Sequence, residues 1–251
     1  MAILISIYSF ILGLVLGSFY NVVGLRVPEG QSVISPPSHC PSCGRRLTIP
    51  DLIPVFSYVF LRGRCRTCHQ RISPVYPVVE ASTGILFLFC FLHASSISEI
   101  IAGWLLVSLL MIVLVTDLTR MLIPDKIVLF FSILFFVFRV ISPLHPWWDS
   151  LLGTAAGFSL LAVIAIVSRG GMGGGDVKLF AVMGLFVGTK VILLGFFLSA
   201  FYGAIFGIIG LLTGLIGRRQ PVPFVPFIVF GMMTAFFFGN EIIGVYINLL
   251  F

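Results

Sequence analysis

The chain has 251 residues, of which 59% are hydrophobic and only 10% charged, whereas about 25% of the residues of a soluble domain carry charge. A soluble domain of this length needs far more polar side chains to cover its surface, so that class is excluded. The 26 phenylalanines and the mere five cysteines also exclude disordered proteins and disulfide scaffolds. The composition predicts an all-α polytopic membrane protein.

Apolar runs indicate about eight transmembrane helices, each needing about 20 residues to cross roughly 30 Å of hydrocarbon. The first run is expected to be a retained helix, because it lacks a basic n-region and a small-residue cleavage site. The eight runs lie at residues 2–25, 77–94, 97–116, 126–142, 150–168, 177–189, 191–216 and 222–250.

The distribution of lysine and arginine predicts the orientation of these spans. When eight spans alternate from an N-terminus outside, only Arg139 and Lys190 fall on the outer side. The other loop cations share the opposite side, which is therefore cytoplasmic. The same alternation puts Asp149 outside and puts the connections at 116–126 and 168–178 at the cytoplasmic face.

The long polar segment at residues 27–76 is strongly basic. Seven arginines lie between residues 26 and 80, against three acidic residues. A basic segment tied to a membrane is expected to lie near anionic headgroups. Because the sequence carries no signature of a nucleic-acid-binding fold, we expect no nucleic acid partner.

The same segment contains two CxxC pairs separated by 21 residues. Four thiolates at this spacing can bind Zn²⁺ in a tetrahedral site, and a domain this small needs such a cross-link to fold. Two disulfides or a redox CxxC are the alternatives, which a cytoplasmic location and the lack of a βαβ pattern disfavour. The predicted ligands are Cys40, Cys43, Cys65 and Cys68, with His39 and His69 outside the ligand set.

Four aspartates lie at predicted span ends. A carboxylate near hydrocarbon costs free energy, so each is a candidate for a functional role. Asp149 is on the outer side, so Asp117, Asp125 and Asp176 can converge. Asp125 follows Pro124 at a helix start, where an acidic side chain is an ordinary N-terminal feature. Asp117 ends its helix and gains nothing from capping, and Asp176 follows a glycine-rich turn with free amides. We therefore predict Asp117 and Asp176 as a catalytic pair that shares a proton, as in aspartic proteases.

The glycine cluster at 170–175 has other possible meanings. A Walker loop needs Lys after its last glycine, whereas Gly175 is followed by Asp176. A dinucleotide fingerprint needs a third glycine at a fixed offset within a βαβ unit, and the sequence has neither. A flexible hinge stays open as an alternative.

Five ordered motifs resemble those of bacterial type IV prepilin peptidases, a family of membrane GxGD aspartic proteases. The resemblance covers almost the whole chain. The motifs are LGSFYNVVGLRVP at 16–28, the pair CPSC and CRTC, ISPVYPVVE at 72–80, TDLTRMLIPD at 116–125 and GMGGGDVKLFA at 171–181.

The resemblance implies that Asp117 and Asp176 form the catalytic dyad. It further implies that the four cysteines bind a structural zinc ion. The implied supporting residues are Gly173 and Gly175, the glycines of the motif, together with Asp125 and Lys178. The implied division of the chain is a first transmembrane helix at 1–26, a cytoplasmic zinc-binding domain at 27–76 and a transmembrane GxGD protease domain at 77–251.

The family cleaves the basic leader of prepilins and pseudopilins after a glycine, on the cytoplasmic side of the bacterial plasma membrane. It also N-methylates the new terminus with S-adenosylmethionine, so the same substrates, cofactor and location are implied here. A Gly-Lys pair that the family links to methylation reads Gly63-Arg64, which keeps the charge but changes its geometry. The candidate residues for binding this cofactor are Gly63, Arg64 and Glu80.

Two other function classes remain open at this point. A proton- or ion-coupled transporter would also use buried aspartates, although transporters place them near the bilayer midplane in related repeats. A non-catalytic zinc-bearing membrane adaptor explains the cysteines but leaves Asp117 and Asp176 unused. Substrates from a type IV pilus, a type II secretion system or a competence system are equally compatible with the sequence.

Overall fold

The computed structural model is helical throughout its named elements, as the composition predicts. It describes residues 2–168, 173–214, 217 and 222–250. Residues 170–172 of the glycine cluster at 170–175, the end of the predicted run 191–216, and Arg169, Arg218 and Arg219 lie outside these residues. The nine α-helices of the described ranges are α1 Ala2–Arg26, α2 Phe56–Phe60, α3 Val75–His93, α4 Ile97–Arg120, α5 Asp125–Ile141, α6 Asp149–Val167, α7 Gly174–Val187, α8 Thr189–Leu212 and α9 Val225–Leu250.

Six of the described helices are long and apolar enough to cross a membrane: α1, α3, α4, α6, α8 and α9. The predicted count of about eight spans is therefore higher than the number that meets this criterion. Helix α5 has 17 residues and α7 has 14. At about 1.5 Å per residue they measure about 25 Å and 21 Å, less than the roughly 30 Å of a hydrocarbon core.

The chain divides into two compact units, Met1–Thr119 and Arg120–Phe251. In the first unit, small residues let α1 approach α3 closely. A Cβ atom on Gly13 would lie 2.7 Å from the Gly84 Cα, and one on Gly17 would lie 2.9 Å from the Glu80 Cα. Such contacts are how membrane helices pack without a hydrophobic driving force between them.

Hydrogen bonds connect α4 to α1 and α3. The Tyr20 hydroxyl on α1 lies 2.6 Å from the Ser108 hydroxyl on α4. The Trp104 indole N–H of α4 donates to the carbonyl of Phe87 on α3, at 3.0 Å. Between α1 and α3, the polar segment forms two 3₁₀ turns, Val27–Glu29 and Ile49–Asp51, and the short helix α2.

In the second unit, α6 packs on α7 through glycines. A Cβ atom on Gly153 would collide with the carbonyl oxygen of Gly184, so the two backbones are in direct contact. Arg139 near the end of α5 donates from Nε to the Phe186 carbonyl of α7, at 2.7 Å. The Asp149 carboxylate accepts the Thr189 backbone N–H at 3.2 Å. Asp149 therefore caps the N-terminus of α8, a structural role for the aspartate that the charge distribution places outside.

Candidate active site and metal centre

The four predicted zinc ligands meet in the polar segment of the first unit. The sulfur atoms of Cys40, Cys43, Cys65 and Cys68 all lie within 4.8 Å of one another. The Cys40 and Cys68 sulfurs are 3.7 Å apart, close to the about 3.8 Å edge of a tetrahedron whose Zn–S bonds measure about 2.3 Å. All five cysteines are free thiols, so the cluster fits a metal ion and is not arranged as two disulfides.

Both CxxC pairs form the same turn, which explains how the chain presents its sulfurs. Gly44 donates its N–H to the Cys40 carbonyl at 2.9 Å, and His69 donates to the Cys65 carbonyl at 3.0 Å. Gly44 and His69 both have positive φ, 68° and 54°. His69 thus occupies the turn position of a glycine, and neither His69 nor His39 belongs to the cysteine cluster.

Backbone amides lower the pKa of two of the four clustered thiols. The N–H groups of Cys43 and Ser42 lower the pKa of Cys40 to about 6, and those of Cys68 and Thr67 lower the pKa of Cys65. A hydrogen bond from Gln70 lowers the pKa of Cys68, but burial and the neighbouring sulfurs raise it to about 11. A divalent cation would remove this competition, because it favours all four thiolates at once.

Asp51 joins the two CxxC turns and was not singled out by the sequence analysis. Its carboxylate lies 2.8 Å from Arg45 and 3.1 Å from Arg66, one arginine from each turn. Burial alone raises the pKa of Asp51, but the hydrogen bonds of Thr48 and the two guanidinium groups hold it below its usual value. The one sequence signal was the Thr48-x-x-Asp51 spacing of a capping box.

Glu80, one of the three cofactor candidates, is buried on α3, and its carboxylate binds a residue in a strained conformation. Its carboxylate accepts the Val55 backbone N–H at 2.7 Å and a hydrogen bond from the Ser18 side chain. Val55 has φ 63° and ψ −51°, a conformation that a β-branched residue adopts only when its surroundings impose it. Glu80 therefore fixes the entry of α2 against α1 and α3.

The other two cofactor candidates, Gly63 and Arg64, have different surroundings. A Cβ atom on Gly63 would lie 2.9 Å from the Tyr58 hydroxyl oxygen, and Gly63 has φ 66°. Arg64 forms an isolated bridge with Arg71 through the backbone. Tyr58 and Glu80 both line a cavity of about 580 Å³ in this unit. Gly63 is thus needed for the position of Tyr58 beside the cavity.

The two predicted catalytic aspartates occupy the helix ends that the sequence indicated. Asp117 lies in the last turn of α4 and is only 8% exposed. Asp176 lies in the first turn of α7 and is half-buried. Asp117 belongs to the first unit and Asp176 to the second, and their pairing stays a prediction.

The contacts near Asp176 explain why residue 175 is a glycine but give no such reason for residue 173. A Cβ atom on Gly175 would lie 2.9 Å from the Ile123 Cβ, so the connection before α5 crosses directly over this residue. A Cβ atom on Gly173 would only touch the Asp176 carboxylate, at 3.4 Å. A Cβ atom on Gly174 would meet nothing within 4 Å. Close approach therefore requires glycine at 175.

Asp125 and Lys178 form an ion pair that joins the starts of α5 and α7. The Lys178 Nζ lies 2.8 Å and 2.9 Å from the two carboxylate oxygens of Asp125. Asp125 is the first residue of α5, as predicted, but its carboxylate is engaged by Lys178 of another helix. Lys178 is two residues after Asp176, so this pair helps to set the position of α7.

Two protein-family models match the chain. The model described as Bacterial Peptidase A24 N-terminal domain matches residues 11–94, which include the four clustered cysteines. The model described as Type IV leader peptidase family matches residues 104–208, which include Asp117 and Asp176. No solved structure shows a significant match.

Curated relatives agree with the family models. A protein of Bacillus subtilis (strain 168), named prepilin leader peptidase/N-methyltransferase, is 46% identical over 96% of this chain and 97% of its own length. Proteins of the same name from Myxococcus xanthus and Aeromonas salmonicida are 35% and 30% identical, over 86% and 95% of this chain and 66% and 92% of their own lengths. These matches and the six apolar helices make the chain a multi-pass membrane protein. The resemblance seen in the five motifs is confirmed, and the chain belongs to the type IV leader peptidase family.

Proposed function

We propose that this chain is a membrane aspartic endopeptidase that removes the basic leader of prepilins or pseudopilins and then methylates the new N-terminus. The observation that carries this proposal is the match to the type IV leader peptidase family over residues 104–208, a range that contains both candidate aspartates. The relatives' shared name supports the pairing of the two activities. No observation favours a transporter or a non-catalytic adaptor.

Asp117 and Asp176 are the proposed catalytic dyad. One carboxylate takes a proton from the attacking water, and the protonated partner donates to the scissile carbonyl oxygen. When the C–N bond breaks, the proton passes to the leaving amine nitrogen. The burial of Asp117 supports this role, since a carboxyl group buried at a span end is costly and marks a functional site.

Cys40, Cys43, Cys65 and Cys68 are proposed to hold a structural zinc ion. Their separations fit a tetrahedral site with four sulfur ligands and no open position, the arrangement of structural rather than catalytic zinc. The segment they close is small and has few buried apolar side chains, and it therefore needs the metal for its stability.

S-adenosylmethionine is the proposed methyl donor. When bound, it supplies an electrophilic methyl group to an amine nitrogen and leaves as S-adenosylhomocysteine. Glu80 and Gly63 are proposed to shape its site through Val55 and Tyr58, with Arg64 retaining the positive charge near it. The cavity of about 580 Å³ that Tyr58 and Glu80 line has a volume in the range of sites for small organic ligands, which supports the presence of a ligand in this unit.

The proposed location is the bacterial plasma membrane, with the zinc-binding segment and the dyad facing the cytoplasm. The excess of lysine and arginine in the connections on that side supports this orientation. With α5 and α7 inserted as short helices beside six full spans, we retain eight membrane helices. The proposed parts are the helix at 1–26, the zinc-binding segment at 27–76 and the protease domain at 77–251.

The test is to incubate the purified full-length chain with a prepilin-type peptide in detergent, with and without S-adenosylmethionine, and to weigh the products. We expect a leader fragment and a mature fragment, the latter one methyl group heavier when the cofactor is present. Asp176→Asn should abolish both products. Asp149→Asn is the matched control, because asparagine caps a helix as well as aspartate does, and it should cleave normally. Intact peptide with the wild-type chain would refute the proposal.

A further inference from the structure

The short helix α2 exposes an apolar surface, although it belongs to the polar segment between α1 and α3. The helical hydrogen bonding here begins before α2, where the Ser57 N–H donates to the Ile53 carbonyl at 3.0 Å. Helical spacing puts four exposed apolar residues on one side, which we call the α2 surface: Ile53, Phe56, Val59 and Phe60. Residues 52–61 carry no charge in the sequence.

The other side of α2 carries the polar groups of the helix. Ser57 and Tyr58 line the cavity of about 580 Å³ in this unit. An amphipathic helix of a soluble domain turns its apolar side inward and its polar side outward. Helix α2 has the reverse arrangement, which is typical of a helix whose outer side lies in a lipid interface or at a binding surface.

A hydrogen bond places the start of α2 at the depth of a membrane span. Val55, the residue before α2, donates its N–H to the Glu80 carboxylate of α3 at 2.7 Å. Helix α3 has 19 residues and measures about 28 Å, so it needs its whole length to cross roughly 30 Å of hydrocarbon. Glu80 lies five residues after the first residue of α3, about 7.5 Å along the helix. Interfacial helices bury their apolar side to a similar depth, about 5–10 Å.

Helix α1 agrees with this depth. The Ser18 side chain also bonds the Glu80 carboxylate, and Ser18 lies eight residues before the end of α1, about 12 Å along the helix. Both residues belong to candidate membrane spans, Ile3–Glu29 and Val75–His93. The contact that holds α2 is therefore made inside the ends of two spans and not above them.

A bilayer fits the α2 surface better than a protein partner does. An aromatic side chain buries about 150–250 Å², so four partly exposed side chains offer less than the about 800 Å² per partner of a stable protein interface. Arg62 and Arg64 follow α2 directly and are exposed. Guanidinium groups beside an apolar surface can bind the phosphates of lipid headgroups while the surface itself lies among the acyl chains.

We propose that the α2 surface inserts into the adjacent lipid leaflet, with Arg62 and Arg64 at the headgroup phosphates. The inference uses only the membrane location of the chain and neither of the two proposed activities. It gives the cysteine-containing segment a third attachment to the bilayer, between its connections to α1 and α3. The Val55–Glu80 hydrogen bond then holds α2 at the depth where its apolar side meets lipid.

Photocrosslinking of the full-length chain in liposomes of phosphatidylethanolamine and phosphatidylglycerol tests the proposal. Benzoylphenylalanine replaces Phe60, which is 82% exposed, so the probe disturbs little packing within the chain. The matched control carries the same probe at Ser42, an exposed polar residue of the first CxxC turn. By intact mass, the yield of lipid adduct should be at least about tenfold higher at position 60. Equal yields at the two positions, or a crosslink from position 60 to a second copy of the chain, would overturn the proposal.

Hydrogen exchange of residues 55–61 in the same liposomes gives a second test. Phe60→Asp places a charge on the α2 surface, and its exchange should be at least about tenfold faster than in the wild type, because α2 would leave the interface. Phe60→Trp is the control and should exchange at the wild-type rate, since tryptophan is favoured at membrane interfaces. An exposed side chain facing water would tolerate either change, so wild-type exchange in Phe60→Asp would contradict the insertion of α2.

Discussion

Replacing Gly175 by alanine tests whether the motif glycine is required for close approach to the connection before α5. The added Cβ would lie 2.9 Å from the Ile123 Cβ, whereas carbon atoms rest at about 3.5–4.0 Å. The contact is therefore short by about 0.6 Å or more. Neither atom is the end of a flexible side chain, so the backbone of α7 or of the connection must move.

This movement should reach the catalytic residue, because Asp176 is the next residue in the chain. Overpacking of this kind costs about 1–3 kcal/mol of folding stability. A catalytic group displaced by even about 1 Å can lose about 100-fold in rate, so we expect the turnover of Gly175→Ala to fall about 10- to 100-fold. The connection has little freedom to adapt, since Met121 already holds a positive φ of 51°.

Gly174→Ala is the control for this prediction. Its Cβ would meet nothing within 4 Å, and alanine is more favourable than glycine in a helix, so turnover should stay within about twofold of the wild type. The assay is single-turnover cleavage of a prepilin-type peptide, with melting temperature measured in parallel. Wild-type turnover of Gly175→Ala would refute the close-approach argument. Equal loss in both variants would instead favour the flexible-hinge interpretation of the glycine cluster.

Three further predictions concern the groups around the two sites. Lys178→Met should reduce turnover less than tenfold and cost less than about 1 kcal/mol in folding stability, because the ion pair of Lys178 with Asp125 is exposed. In the same assays, Lys178→Arg should have the turnover and the stability of the wild type. The folded-state pKa of Asp51 lies below its unfolded value, so the stabilisation by Asp51 is present at neutral pH and is lost as the pH falls through the folded pKa. In Asp51→Asn, limited proteolysis of residues 27–76 should therefore increase less on acidification than in the wild type. Elemental analysis should find about one zinc ion per chain, lost in Cys40→Ser and kept in Cys90→Ser; zinc-free wild-type protein purified under reducing conditions would disprove the metal site.

Local sequence patterns predicted the features that depend on local chemistry. The CxxC pairs predicted the cysteine cluster because each pair forms its own turn, and the turns then need only one closure between them. The helix ends at Asp117 and Asp176 were predicted because a change from apolar to polar residues marks the end of a span. Hydropathy did not separate the 14-residue helix α7 from full spans, because it reports apolar character more reliably than length.

The features that the sequence analysis missed depend on pairing between distant residues. Asp125 carried the signals of a helix start, and nothing local indicated Lys178, 53 residues later. Asp51 was not singled out, because its role in joining the CxxC turns depends on where Arg45 and Arg66 come together. The hydrogen bond from Asn21 to the Tyr76 carbonyl likewise depends on the packing of α1 against α3.

The central claim is that Asp117 and Asp176 act as one catalytic unit, and single-turnover cleavage by Asp117→Asn, Asp176→Asn and the double variant tests it most directly. Residues that perform one step together give non-additive losses. The account predicts that each single variant abolishes cleavage and that the double variant is no worse than either. Near-normal turnover in a single variant, or losses that multiply in the double variant, would contradict it.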